Sequence, residues 1–209
     1  LYMGPPTRRH VASLEGGTDG FLARRSASFR RNLRRAIRRA TEEGVQLRWE
    51  REFQDAKSRQ AAYDLALRID DRSWKGLGAQ GLNASDMASF YDRMTARLAR
   101  EGRLRMVFAE RDGEVVAMGF GGLLGDTFRG LQMSFDDRYR HLSLGNLIQW
   151  TMVERLVDRF VRIVQMHVLA DNPDPHHPCG TLDAAHHGAP LVEIGIAEDD
   201  VGRLPAQLQ

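Results

Sequence analysis

The sequence predicts an α/β fold, and three observations support this prediction. Two short apolar runs, 106–109 and 115–120, flank a turn at 111–114 whose Asp-Gly pair is typical of a β-hairpin. A third apolar run at 128–135 follows a Gly-Asp turn signal and predicts another strand. Apolar residues then recur at helical spacing, at Leu147, Ile148, Thr151, Met152, Leu156 and Phe160. This order places the end of a strand directly before the start of a helix.

The first forty residues predict little sheet and one long helix. Residues 1–20 show weak periodicity, which we interpret as a strand remnant followed by a loop. Residues 21–40 predict a helix, because apolar side chains recur every three or four positions, at Phe29, Leu33, Ile37 and Ala40. Ser26 or Ser28 is a suitable N-cap for this helix, and Gly44 is a suitable end.

The middle of the chain alternates strand and helix signals. Residues 45–49 predict a strand, and residues 53–68 predict a helix with an apolar face of alanine and leucine. A further helix has apolar positions at Phe90, Tyr91, Met94 and Leu98. The glycine-rich run 119–122 opens no helix, so we interpret it as a bulge within a strand. Residues 161–169 predict one more strand.

The last part of the chain differs from the rest. We interpret residues 1–170 as one domain and residues 171–209 as an irregular tail, diverged or altered in reading frame, because prolines and glycines interrupt any periodicity there. The tail contains possible zinc ligands at His176, His177, Cys179, His186 and His187. Their spacing matches no zinc motif, so the sequence predicts no metal site.

Length and composition indicate one soluble domain with a core of its own. The chain has 209 residues, of which 42% are hydrophobic and 28% are charged. It contains no apolar run long enough to span a membrane. The chain begins at Leu1 without the leader of a secretory signal, which leaves open that it is a fragment of a longer protein. The single cysteine excludes an internal disulfide and favours the cytoplasm.

The net charge of +2 conceals an uneven distribution of charge. Residues 1–105 carry 22 Lys and Arg against 13 Asp and Glu, whereas residues 106–209 carry 8 against 15. Eight arginines lie between Arg24 and Arg39 with no acidic residue among them. Because like charges four residues apart repel each other on a helix, we expect this helix either to face an anion or to be a solvated surface helix. The candidate anions are a phosphorylated cofactor, RNA, an acidic substrate and anionic lipid.

The segment between the third strand and the following helix favours phosphate binding. The first N–H groups of a helix have no partner within it, and they carry a partial positive charge. Ser143 and Gly145 keep the turn small enough for a phosphate to approach the backbone, and Arg140 adds a full charge. The sequence therefore predicts a pyrophosphate site at this turn.

Three motifs together resemble a known superfamily. Arg140-x-x-Ser143-x-Gly145 resembles the Arg/Gln-x-x-Gly-x-Gly/Ala loop with which GNAT acyltransferases bind the coenzyme A pyrophosphate, with serine in place of the first glycine. The same loop is similar to that of the CelD-like, or cellulose biosynthesis protein-like, branch. The Ser-x-x-x-Arg-x-x-Leu-Arg-Arg-Ala-x-x-Arg helix is similar to one shared by CelD-like and FemABX transferases. Residues 71–78 resemble the Ser-Trp-Lys box of these enzymes.

The resemblance implies a GNAT-like mixed twisted sheet with helices on both faces. It implies transfer of an acyl group, foremost acetyl, from acyl-coenzyme A to an amine or hydroxyl of a small or polysaccharide-linked acceptor, without a metal. The implied coenzyme-binding residues are Arg140, Leu142, Ser143, Leu144, Gly145 and Asn146. The implied substrate-binding residues are Arg30, Arg34, Trp74 and Lys75. The candidates for the base that takes a proton from the acceptor are Asp136, Asp137 and His141.

Two other functions remain open from the sequence. A FemABX-like enzyme would take an aminoacyl group from tRNA, with the arginine-rich helix on the RNA. A non-catalytic module would use the same helix to bind RNA or acidic lipid. A serine hydrolase is not predicted, because the sequence has no Gly-x-Ser-x-Gly elbow.

Overall fold

A six-stranded mixed sheet forms the centre of the fold in the computed structural model, which describes residues 11–157 and 161–165. The strands are β1 (Val11–Ser13), β2 (Gln46–Glu50), β3 (Leu104–Arg111), β4 (Glu114–Leu124), β5 (Thr127–Phe135) and β6 (Ile163–Gln165). Their order across the sheet is β1-β6-β5-β4-β3-β2. Neighbouring strands are antiparallel, except β5 and β6, which are parallel.

Helices cover both faces of this sheet. They are α1 (Gly17–Ala23), α2 (Ala27–Glu42), α3 (Ala56–Arg72), α4 (Trp74–Leu77), α5 (Met87–Arg100) and α6 (Leu144–Val157). Helices α1, α2 and α6 pack against one face, where the sheet contributes Val107 and Ala117. Helices α3 and α5 pack against the opposite face, where it contributes Phe108 and Met118. This arrangement confirms the predicted mixed sheet with helices on both faces.

The predicted hairpin joins β3 and β4. Asp112 and Gly113 have φ values of 51° and 76°, and a two-residue type I′ turn requires positive φ at both of its central positions. The structure therefore confirms both strands and the turn between them.

A β-bulge interrupts the pairing of β4 with β5. The register steps from Phe120 with Gln132 to Gly121 with Gly130, so Leu131 is an extra residue in β5. A Cβ atom at Gly121 would lie 2.3 Å from a backbone oxygen of β5, so a larger residue does not fit there. The glycine-rich run therefore marks a bulge, as predicted, although the extra residue belongs to the opposing strand β5.

The N-terminal region differs from the prediction. Gly17–Ala23 form a helix rather than a loop, and the helix predicted over 21–40 is interrupted before α2. The break lies at Ser26, whose backbone is extended and whose side chain accepts a hydrogen bond from the Phe29 N–H at 3.0 Å. Ser26 is therefore the N-cap of α2, as one of the two predicted alternatives.

Other differences concern where elements end. Helix α3 continues to Arg72, four residues past the predicted end, and so includes Asp70. Phe160, the last position of the predicted α6 stripe, lies outside the described residues. The tail 171–209, with its histidines and its cysteine, also lies outside them.

Candidate active site

Strand β5 has one paired edge and one open edge. Strand β4 pairs along its whole length, whereas β6 pairs with residues 127–129. Within the described ranges, no strand pairs with the outer edge of β5 over residues 130–135. The Asp136 N–H donates to the Val116 carbonyl of β4 at 2.8 Å. Because backbone groups alternate between the two edges of a strand, the N–H and carbonyl of Met133 face the open edge.

The turn between β5 and α6 is short and well defined. A 3-10 helix, Asp137–Leu142, follows β5, and Ser143 then adopts a left-handed conformation with φ 55° and ψ 39°. The Asn146 N–H donates to the Ser143 carbonyl at 3.0 Å as α6 begins. In the part of the chain that the structure describes, the N–H groups of Leu144 and Gly145 have no backbone acceptor. Both groups are therefore available to an anion.

The start of α6 lies against the open half of β5. A Cβ atom on Gly145 would be 3.4 Å from Met133 Cε and 3.8 Å from Phe135 Cε1. Both of these side chains belong to the unpaired half of the strand. A phosphate at the helix start and an extended group along the strand edge would therefore be neighbours.

The other predicted coenzyme-binding residues occupy different environments. Leu142 and Leu144 are fully buried, so only their backbone groups can reach a ligand. Arg140 and Asn146 are exposed, and Arg140 lies 3.9 Å from Asp137 in an ion pair. Free backbone N–H groups and an exposed guanidinium four residues before the first of them in the chain are donor types that suit a diphosphate.

Asp136, one of the three candidate bases, is buried between arginines. Its carboxylate accepts hydrogen bonds from the Arg138 backbone N–H at 3.0 Å and from Arg138 Nη2 at 2.7 Å. Arg72 Nε lies 3.4 Å from it. Burial raises the pKa of Asp136, but the hydrogen bonds from Arg138 and the charge of Arg72 together lower it by more, so this pKa lies below its ordinary value of 3.8. The Asp136 carboxylate therefore has a reduced affinity for a proton.

Asp137 and His141, the other two candidate bases, belong to the 3-10 helix that follows β5. Asp137 is half-buried beside Arg140. The His141 side chain is exposed, and its carbonyl oxygen accepts a hydrogen bond from Arg39 of α2. The structure thus places all three candidates in one segment, with very different access to solvent.

Trp74 and Lys75 begin α4, directly after the end of α3. The Lys75 ammonium donates to the Met133 carbonyl at 3.1 Å and lies 3.2 Å from Asp70 Oδ1. Trp74 is half-buried. The structure therefore brings Lys75, but not Arg30 or Arg34, to the open edge of β5.

Asp70 and Ser134 are buried polar residues at this edge that the sequence analysis does not identify. Asp70 is fully buried and accepts hydrogen bonds from the Ser134 hydroxyl and, at 2.6 Å, from the Leu82 N–H. One signal was available, because Asp70 lies one turn after Ala66 on the apolar side of α3, where a carboxylate is unusual. No comparable signal distinguishes Ser134.

Alternate residues of β5 form a polar row that faces α3 and α5. The row consists of Gln132, Ser134 and Asp136, which lie on one face because strand side chains alternate. Their partners are Tyr91 of α5 and Asp70 and Arg72 of α3, respectively. The open edge of β5 therefore has a polar lining on this side, suited to an amine or a hydroxyl group.

The arginines of α2 have unequal roles. Arg30 donates to the Leu22 carbonyl at 3.1 Å and so joins α1 to α2. Arg34 is exposed. Arg39 lies on the other side of the helix and donates to the His141 carbonyl. Arg39 is therefore the arginine that connects α2 to the turn before α6.

Two other kinds of site are not found in the described residues. No group of three or more His, Cys, Asp or Glu side chains in residues 11–157 and 161–165 is arranged to hold a metal ion. No helix in these ranges is long and apolar enough to cross a membrane.

Several solved structures share this fold. FemX matches with a TM-score of 0.55 and 12% identity, over 80% of this chain and 54% of that one. L-PGS from Bacillus licheniformis matches with a TM-score of 0.51 and 13% identity, over 79% and 46%. A conserved protein of unknown function from Bacteroides thetaiotaomicron matches with a TM-score of 0.52 and 14% identity, over 75% and 49%. The chain spans about half the length of these proteins, and the similarity concerns the fold alone.

Sequence comparison identifies the family. No curated protein sequence gave a match. A family model described as Acetyltransferase (GNAT) domain matches residues 27–172. The matched range includes the sheet from β2 to β6, the open edge of β5 and the turn before α6. The chain therefore belongs to the GNAT acetyltransferase domain family.

Proposed function

We propose that the chain transfers an acetyl or other acyl group from acyl-coenzyme A to an amine or hydroxyl of a small or polysaccharide-linked acceptor. The observation that carries this proposal is the position of the α6 start beside the unpaired half of β5. The start of α6 would provide donors for the pyrophosphate, and the unpaired half of β5 would provide donors for the acyl-bearing end of the same molecule.

The turn before α6 would hold the phosphates. The N–H groups of Leu144 and Gly145 and the exposed guanidinium of Arg140 are the donors in this proposal. Leu142 and Leu144 anchor the turn through their buried side chains, while Ser143 and Asn146 border it. An acyl thioester bound there would supply an activated carbonyl. The protein would then need only to align this carbonyl with the acceptor and to remove one proton from the acceptor.

The open edge would align the reacting groups. The Met133 N–H would polarise the thioester carbonyl, and the acceptor nitrogen or oxygen would attack the carbonyl carbon as the carbon–sulfur bond breaks. The acceptor proton would pass to a base and then to the leaving thiolate. Of the three candidate bases, Asp136 has a lowered pKa, which favours His141, Asp137 or a water that either holds.

The acceptor would approach from the α3–α5 side of β5. Lys75 would contact an oxygen of the substrate there, and Trp74 would border the same space. Arg34 and the unused donors of Arg30 would attract an acidic acceptor from further away. We also propose the CelD-like branch, on the loop and the Ser-Trp-Lys box, and a cytoplasmic location, on the single cysteine.

Calorimetry tests the donor. We expect acetyl-coenzyme A and free coenzyme A to bind and to raise the melting temperature, since a ligand that binds only the folded state stabilises it. Adenosine at the same concentration is the control without phosphates. Absence of binding by every coenzyme A thioester would disprove the proposed donor.

The exposed arginines of α2 favour a second candidate, aminoacyl transfer from tRNA. Arg31, Arg34 and Arg35 are exposed on this helix, and arginine pairs well with phosphate. Tight tRNA binding that weakens steeply with salt, without binding of coenzyme A, would support this candidate. Equal binding of any polyanion would instead support a non-catalytic module.

A further inference from the structure

Gln149 is a buried polar residue of α6 whose amide oxygen is unpaired among the residues that the structure describes. Its side chain is 5% exposed, and its amide oxygen has no donor within the described residues. A buried polar atom without a partner destabilises the folded state, so most such atoms are paired. The unpaired amide oxygen of Gln149 therefore indicates a place where a ligand could supply a hydrogen-bond donor.

The position of Gln149 on α6 follows from two neighbours whose direction is known. Ile148 points to β4, because its Cγ2 lies 2.5 Å from where a Cβ atom of Gly119 would be. Gly145 faces β5 at Met133, as described above. Gln149 follows Gly145 by four residues, which rotates it by about 40° further from the Ile148 side. Because β6 lies beyond β5 in the sheet order, Gln149 lies on the side of α6 that faces the open edge.

We propose that Gln149 binds an amide of the pantetheine arm of acyl-coenzyme A. This inference rests on the proposed function, which places the phosphates at the start of α6 and the thioester at the edge of β5. The arm between these groups contains amide bonds, each with one N–H donor and one carbonyl acceptor. Gln149 lies one turn along α6 from the phosphate donors, on the side of the open edge, and offers the complementary amide. The N–H of the arm would then satisfy the orphan oxygen.

The same contact explains why a polar residue occupies this place. The neighbouring stripe of α6 is apolar, and Leu147, Met152 and Val153 are buried. A leucine at position 149 would fill a similar volume without leaving an unpaired group. The amide thus weakens the free protein and strengthens the complex.

The test compares two ligands on two variants by calorimetry. The ligands are coenzyme A and adenosine 3′,5′-bisphosphate, which has phosphates but no arm. Gln149→Leu should raise the melting temperature of the free protein, lower the affinity for coenzyme A about three- to tenfold, and leave the bisphosphate affinity within about twofold. Gln60→Leu is the matched control, because the Gln60 amide already donates to Asp64 at 2.8 Å on α3, so its loss should not raise the melting temperature and should leave the affinity for coenzyme A unchanged.

Each result separates this inference from the proposed function. Unchanged coenzyme A affinity in Gln149→Leu would overturn the inference and leave the proposed donor intact. An equal loss of both ligands with a lower melting temperature would show a structural role and also overturn it. If neither ligand binds the unaltered chain, the proposed function fails, and the inference fails with it.

Discussion

The Lys75 ammonium lies 3.2 Å from the carboxylate of Asp70, so the cation that the sequence suggests as a ligand contact is also half of a partly buried ion pair. Asp70 is fully buried, and the Lys75 side chain is 24% exposed. The pair joins the end of α3 to α4, and the Lys75 bond to Met133 joins both to β5. Lys75 therefore stabilises the junction of α3, α4 and β5, and it would keep this structural role while contacting a substrate.

Asp70→Asn should destabilise the fold by about 3 kcal/mol, because it leaves the Lys75 ammonium without its counter-charge. Lys75→Met should cost a similar amount by leaving the buried carboxylate unpaired. The double variant should cost less than the sum of the two, since it removes both charges together. Urea unfolding measures all three, and additive losses would show that the pair is not coupled.

Asp136 should make stability depend on pH in the acidic range. Because its pKa is lower in the folded state, its contribution is complete above about pH 4 and is lost as the pH falls through the folded value. Asp136→Asn should cost about 1–2 kcal/mol at pH 7, a value kept small because Arg138 is 60% exposed. The same variant should lose less stability than the parent between pH 5 and about pH 3.

Asp137→Asn is the matched control for this experiment. Asp137 is adjacent in sequence but only half-buried, and Arg140 Nε lies 3.9 Å from its carboxylate. The acid-range dependence assigned to Asp136 should persist in this variant, because the Asp136 carboxylate and its arginine partners are unchanged. An acid-range profile of Asp136→Asn that also matches the parent would contradict the assignment of this dependence to Asp136.

Gly145→Glu should weaken coenzyme A binding at least about tenfold, because it places a negative charge among the donors meant for phosphate. Gly145→Gln has nearly the same size without the charge and should bind more tightly than the glutamate variant. Gly145→Ala should bind almost normally, since its Cβ atom would be in ordinary contact with Met133 at 3.4 Å. Calorimetry with a melting curve for each variant separates binding from folding, and equal binding by the first two would argue against a phosphate here.

Arg39→Ala should lower the affinity for coenzyme A about two- to fivefold, because the hydrogen bond from Arg39 to His141 helps to hold the turn before α6. Arg31→Ala removes the same charge from an exposed position about two turns away on α2 and serves as the control. A similar loss in both variants would mean that general charge, rather than the position of Arg39, governs binding.

The β3–β4 hairpin and helix α6 were predicted correctly because each is specified by residues that are close together in the sequence. Asp112 and Gly113 specify their turn directly, and the apolar stripe of α6 needs no information from elsewhere in the chain. The break at Ser26 was harder to predict, since the arginines on both sides suit a continuous helix. The Arg30 bond to the Leu22 carbonyl of α1 stabilises this break, and it forms only in the folded chain.

The candidate site was predicted where it depends on the backbone and not where it depends on buried polar side chains. Gly145 and Ser143 identify a tight turn by their residue types alone. Asp70 and Gln149 lie at positions that a helical period assigns to the apolar core. Their roles could not be predicted, because the groups that pair with them are distant in sequence or belong to a ligand.

Leu131, the extra residue of β5, determines the face of the sheet on which each later side chain of the strand lies. Leu131 and Gln132 are adjacent in sequence, yet both side chains face α3 and α5, so the bulge reverses the alternation of the residues that follow. In a regular strand that kept Leu131, alternation from Phe128 would place Ser134 on the α6 side and Met133 on the side of Asp70. This single extra residue thus determines that the later polar side chains of β5 face α3 and α5, whereas its later apolar side chains pack under α6.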